Sequence, residues 1–117
     1  DLMPEPEVSF TLKQEDLEFI LRSSSVLGTP HIAVISDGEK VFVAALDDKN
    51  TSTHTNQLEV GTGNGKKYKM LFKTENMKMI TGEYQVSISF KGIAHFKNTT
   101  KPLQYWIATE LGSTSEG

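Results

Sequence analysis

Residues 8–30 read VSFTLKQEDLEFILRSSSVLGTP, and the change of hydrophobic period inside this stretch decides the fold class. Val8, Phe10 and Leu12 alternate with Ser9 and Thr11, the period of two that a strand with one buried face requires. From Gln14 to Leu27 the period lengthens. Leu17, Ile20, Leu21 and Ser24 fall at helical spacing, while Glu15, Glu18, Arg22 and Ser25 take the other side. Glu15 and Asp16 suit the positive N-terminal end of a helix, and Gly28 followed by Pro30 stops it. A strand therefore runs straight into one substantial helix.

The sequence beyond it is β-rich. Residues 31–36 and 40–46 are apolar, β-branched runs joined by Asp37-Gly38, a strong signal for an antiparallel hairpin. Residues 53–60 read as a weaker, polar strand, the glycine-rich 61–65 as a flexible loop, and 68–73 as a return to the sheet. Residues 74–79 are too short and polar for a core strand, and Met77 and Ile80 are placed to anchor a short second helix. Strands over 83–90, 93–97 and 103–111 complete the chain, with Lys91-Gly92 and residues 98–102 as connections. The order is β-α-β-β-β given twice. An α+β fold follows, with two helices on one face of a curved antiparallel sheet. Pro4 and Pro6 make residues 1–7 an extended connector, residues 8–111 form a single domain, and residues 112–117 are a polar, flexible tail.

Composition narrows the function. A chain of 117 residues encloses one core, and its apolar content of 37% is that of an ordinary globular protein without a membrane-spanning helix. The absence of cysteine removes disulfide scaffolds and thiolate chemistry and fits a reducing, cytoplasmic setting. The chain opens at Asp1 with no basic or apolar leader, so nothing reads as a secretion signal, and a fragment of a longer chain is one expectation. The net charge of −3 argues against coating nucleic acid with the whole surface while leaving room for a local basic face.

No catalytic constellation is legible. Residues 61–67, GTGNGKK, lack the spacing and the following Ser or Thr of a phosphate-binding loop. His31, His54 and His95 are scattered without paired metal-ligand spacing. Ser23, Ser24 and Ser25 lie within the helix with no nucleophile elbow, so polar helix packing is the simpler account. Asp47 and Asp48, being adjacent at a strand end, suit a turn better than acid–base work. Met70, Met77 and Met79 read as core filling, and of Tyr105 and Trp106 one is buried and the other available. Cofactors and metals are accordingly expected to be none.

Several local sequences together resemble the C-terminal domain of the sliding clamps of T-even type bacteriophages and their marine relatives. The most specific is Asn76-Met77-Lys78-Met79 with Gly82-Glu83-Tyr84, similar to that family's short helix and next strand. Glu15-Asp16-Leu17 leading to Ile20-Leu21-Arg22 is similar to its longer helix, and Tyr105 to Glu110 to its last strand. The resemblance spans nearly the whole chain. It implies the DNA-clamp fold and a non-enzymatic role: three two-domain subunits close a ring around duplex DNA, helices inward, and tether a replicative polymerase.

By resemblance, the DNA-facing candidates are Lys13, Arg22, Lys73 and Lys78. Their bland reading is plain solvation, and Glu15 and Glu18 dilute the field. A pocket for polymerase and clamp-loader peptides is expected at Leu2, Val26, Leu27 and Ile107, with core packing as the bland reading of Val26 and Ile107. The implied partners are duplex DNA, bound without sequence preference, those peptides, and further copies in a trimeric ring. No membrane is implied, and the setting is the cytoplasm, that of the host if the protein is phage-encoded. The competing reading is a stand-alone β-rich protein-interaction domain, a truncated clamp homologue or virion component, that encircles nothing.

Overall fold

The computed structural model describes residues 3–47 and 57–116. In chain order the elements are β1 (Val8–Leu12), α1 (Gln14–Leu27), β2 (His31–Asp37), β3 (Lys40–Leu46), β4 (Gln57–Thr62), β5 (Lys67–Lys73), a 3-10 turn (Thr74–Met77), β6 (Tyr84–Ser89), β7 (Ile93–Asn98), β8 (Gln104–Ala108) and β9 (Thr114–Ser115). The α+β class read from the sequence is the observed one. The polar run at 53–60 lies partly outside the described residues, and β4 occupies its C-terminal part.

The strands form two antiparallel sheets, ordered β1-β6-β7-β8 and β4-β3-β2-β5-β9. The duplication is visible in them with one exchange. Each half contributes three successive strands to one sheet, and its first strand crosses to the other: β1 pairs with β6, and β5 pairs with β2. Neither half could therefore complete its sheet alone.

Alternation explains the burial. In β1 every second residue is buried, and Val8, Phe10 and Leu12 enter the core while Ser9 and Thr11 face out. Leu17, Ile20 and Ser24 form the buried stripe of α1, against a core that joins both sheets. Phe72 of β5 meets Phe96 of β7 edge to face, with centroids 5.9 Å apart, which ties one sheet to the other. Met70, Met77 and Met79 are core residues. A second, smaller cluster of Ala33, Leu46 and Leu71 lies apart from this core, with Ile35 packed against it.

Chain reversals are fixed by side-chain and glycine chemistry. Gly28 ends α1 in the left-handed conformation, φ 68°, and its N–H donates to the Ser24 carbonyl. In the β2–β3 turn the Asp37 carboxylate accepts hydrogen bonds from the backbone N–H groups of Lys40 and Glu39, both at 2.9 Å. Those two bonds hold its carboxyl below the usual carboxylate range. After β7, Asn98 Oδ1 accepts from the backbone N–H of Thr100 and Lys101.

Three details differ from the sequence reading. The second helical segment is a single 3-10 turn, because four residues starting at a β-branched Thr74 without a side-chain cap cannot repay helix nucleation. The glycine-rich loop is not left loose: Gly63 N–H donates to the Glu39 carbonyl at 2.7 Å and Gly65 N–H to the Gly38 carbonyl at 2.9 Å, closing it onto the hairpin turn. The tail is held to β5. Glu110 N–H donates to the Leu71 carbonyl, Ser113 Oγ accepts from Leu71 N–H, and Thr114–Ser115 pair with Lys69 and Tyr68. A polar tail satisfies a strand edge that would otherwise stay open.

Candidate nucleic-acid interface

The C-terminal half of α1 lies against the 3-10 turn. Ser24 Oγ is 2.8 Å from Thr29 Oγ1 and 3.0 Å from Thr74 Oγ1, and both the Ser24 and Thr74 hydroxyls reach the Thr29 carbonyl at 3.0 Å. Thr74 N–H also donates to the Pro30 carbonyl. Ser24 and Thr74 are buried, so the bond between their hydroxyls is shielded from water, and the group together sets the two segments side by side. A notch of about 490 Å³ opens at this seam, lined by Leu21, Ser25, Gly28, Lys73, Glu75 and Lys78 among others.

Two of the four expected DNA-facing residues, Lys73 and Lys78, meet at this notch, at opposite ends of the 3-10 turn. Arg22 is exposed on α1 and lies outside the notch lining. Lys13 precedes the helix, roughly 16 Å along its axis from Ser24 at 1.5 Å per residue, and is exposed there. Carboxylates accompany these cations. Lys78 Nζ lies 3.0 Å from Glu75 Oε1. Glu18 accepts hydrogen bonds from Thr81 Oγ1 and Gln14 Nε2, and these, with the charge of Arg22, hold its carboxyl below the usual range.

The expected peptide-pocket residues are spread apart. Leu2 lies outside the described residues. Ile107 is a core residue of β8, whereas Val26 is 80% exposed and Leu27 47%, so core packing does not describe Val26. Being at the last turn of α1, Val26 points away from the Leu17–Ile20–Ser24 stripe. Beside Ile107, Trp106 is exposed and stacks on His95, centroids 4.7 Å apart, while Tyr105 packs on the core and on Tyr84. His95 and Trp106 share a concavity of about 500 Å³ with Met3, Pro6 and Gln104, which brings the described part of the connector to β8.

Sequence reasoning missed two features of this surface. The Ser24–Thr74 seam joins residues fifty positions apart and leaves no local signal. The Glu75–Lys78 pair does have one, its i,i+3 spacing. His54 and Asp48 lie outside the described residues. Among the described residues no group of three potential metal ligands occurs, and no helix is long and apolar enough to cross a membrane.

A family profile described as "gp45 sliding clamp, C terminal" matches residues 9–111, from β1 to just beyond β8. This chain belongs to the sliding clamp family. A curated sliding clamp from Vibrio phage KVP40 is 34% identical over 104 residues, a match covering 86% of this chain and 46% of the relative. The chain thus spans about half the length of that clamp. In this sliding clamp domain, α1 and the 3-10 turn occupy the two helical positions expected from the repeated strand order.

Proposed function

We propose that this chain is the C-terminal half of a clamp subunit, that the complete ring encircles duplex DNA in the host cytoplasm, and that it holds a replicative polymerase there without catalysing a reaction. In this reading residues 1–7 are the connector between halves and residues 8–111 the clamp domain, and three two-domain subunits make the ring. One observation supports the reading within the family: α1 and the 3-10 turn are joined at Ser24 and Thr74, so that Lys73 and Lys78 stand at a notch beside the helix that also carries Arg22. Enclosure, rather than tight contact, keeps such a ring on DNA. Weak, sequence-independent phosphate contacts then suffice, and a net charge of −3 is compatible with a DNA partner.

Reversing Arg22, Lys73 and Lys78 to glutamate should flatten the salt dependence of duplex association by about 0.9 in the log–log slope for each phosphate that is no longer neutralised. Fluorescence anisotropy of a labelled duplex across a salt series reads this. An unchanged slope would remove the face from the DNA path.

We further propose that partner peptides of polymerase and clamp loader dock beside β8, where the connector meets Trp106, with Leu2 and Ile107 contributing and Val26 and Leu27 as an outlying apolar contact. Trp106 is the single tryptophan, so its indole resonance reports the site without labelling. Titration with a peptide from the C-terminus of the cognate polymerase should move that resonance. If neither it nor any of Leu2, Val26, Leu27 and Ile107 responded, the docking proposal would be refuted.

A further inference from the structure

We infer that Glu75 is an internal competitor for Lys78, a fixed counter-charge that weakens the grip of this surface on the DNA backbone; the inference rests on the proposed encirclement of duplex DNA. Lys78 and Glu75 stand on the rim of the same notch, with Nζ 3.0 Å from Oε1. Both side chains are well exposed, 57% and 78%, so the pair is a solvated one, weak enough for a phosphate oxygen to displace the carboxylate. Displacement still has to come first. Lys78 therefore offers a phosphate only the difference between two similar partners, an ammonium–phosphate contact less an ammonium–carboxylate contact.

Lys73, at the other end of the 3-10 turn, has no ion pair among the described residues and keeps its full attraction. The notch thus has one strong and one attenuated cation about a turn apart. For a sliding ring this is useful, because each register along the duplex must be left as easily as it is entered. Arg22 has a carboxylate nearby too, but Glu18 also accepts bonds from Thr81 and Gln14, so removing it would disturb the fold. Glu75 accepts only from Lys78 among the described residues, which makes it the clean position to change.

The test compares this chain with Glu75→Gln, Lys78→Gln and the double variant for binding to a labelled duplex over a salt series. Glu59→Gln serves as a control of equal charge change, since Glu59 pairs with Lys40 at 3.6 Å on β4. Glu75→Gln should bind about two- to five-fold more tightly at low salt, the size of a released surface pair, with a steeper salt slope. That gain should vanish in the Lys78→Gln background and be absent in Glu59→Gln. An equal gain in the Lys78→Gln background or in Glu59→Gln would reduce Glu75 to bulk charge and overturn the inference. So would binding by the parent chain that Glu75→Gln left unchanged, although the encirclement reading would then stand. If neither protein bound duplex at any salt concentration, Lys78 would have no phosphate contact for Glu75 to weaken and the inference would fail, while encirclement, which holds by enclosure, would stand.

Discussion

Replacing Phe72 by alanine should lower the free energy of unfolding by about 3–5 kcal/mol, the range for deleting a fully buried aromatic side chain. Phe72 has no exposed surface, and its ring meets Phe96 across the gap between the two sheets. The loss is larger than its area alone implies because the packed surroundings relax only partly around the cavity left behind; β5 is also one of the two exchanged strands. The cavity opens where the second half of the chain enters the sheet of the first. Domains of this size are stable by about 5–15 kcal/mol, so the variant should sit close to its unfolding threshold. Urea denaturation followed by circular dichroism gives the value, and Phe72→Leu, with most of the volume kept, should cost about 1.5 kcal/mol or less. A loss below about 1 kcal/mol for the alanine variant would mean that the sheets are not coupled through this ring.

Gly63→Ala should be destabilising by about 1–3 kcal/mol, the cost of forcing an extra methyl group into a packed site. A β-carbon at this position would lie 2.5 Å from the Gly38 carbonyl oxygen and 2.7 Å from its carbon. Both are backbone atoms of the β2–β3 turn and cannot swing aside as a side chain would. The opposing effect is real: alanine restricts the unfolded chain and stabilises by about 0.4–1 kcal/mol where the native backbone accepts it. The steric cost is the larger here, so the urea midpoint should fall. A midpoint unchanged or raised would show that the loop does not close on the hairpin.

These two positions mark the boundary of what a sequence can disclose. Phe72 is legible as a core residue of an apolar strand, since 68–73 resumes the sheet after the glycine-rich run. Its partner is not, because Phe96 is twenty-four positions away and nothing local names it. Gly63 is legible as a turn residue but reads as slack, because a close backbone approach from residues 38 and 39 has no signature at residue 63 itself. The same holds for the site. Lys73 and Lys78 stand out as a pair flanking a short helical segment, yet the seam that places them beside α1 depends on Ser24 and Thr74 meeting in three dimensions. Val26 looks like core by composition and is solvent-facing by helix phase.

Local sequence is enough to specify the elements: the strand-to-helix switch at Lys13, the end of α1 at Gly28, the hairpin at Asp37-Gly38, and the family to which the chain belongs. Periodicity, capping and turn chemistry act over a few residues, so they are written in a few residues. The exchange of β1 and β5 between sheets, the pinning of the tail along β5, and the setting of the 3-10 turn with its lysines against α1 emerge only when the chain is packed. Each of these depends on which apolar face finds which partner across the core, and burial rewards any suitable face without regard to its distance along the chain.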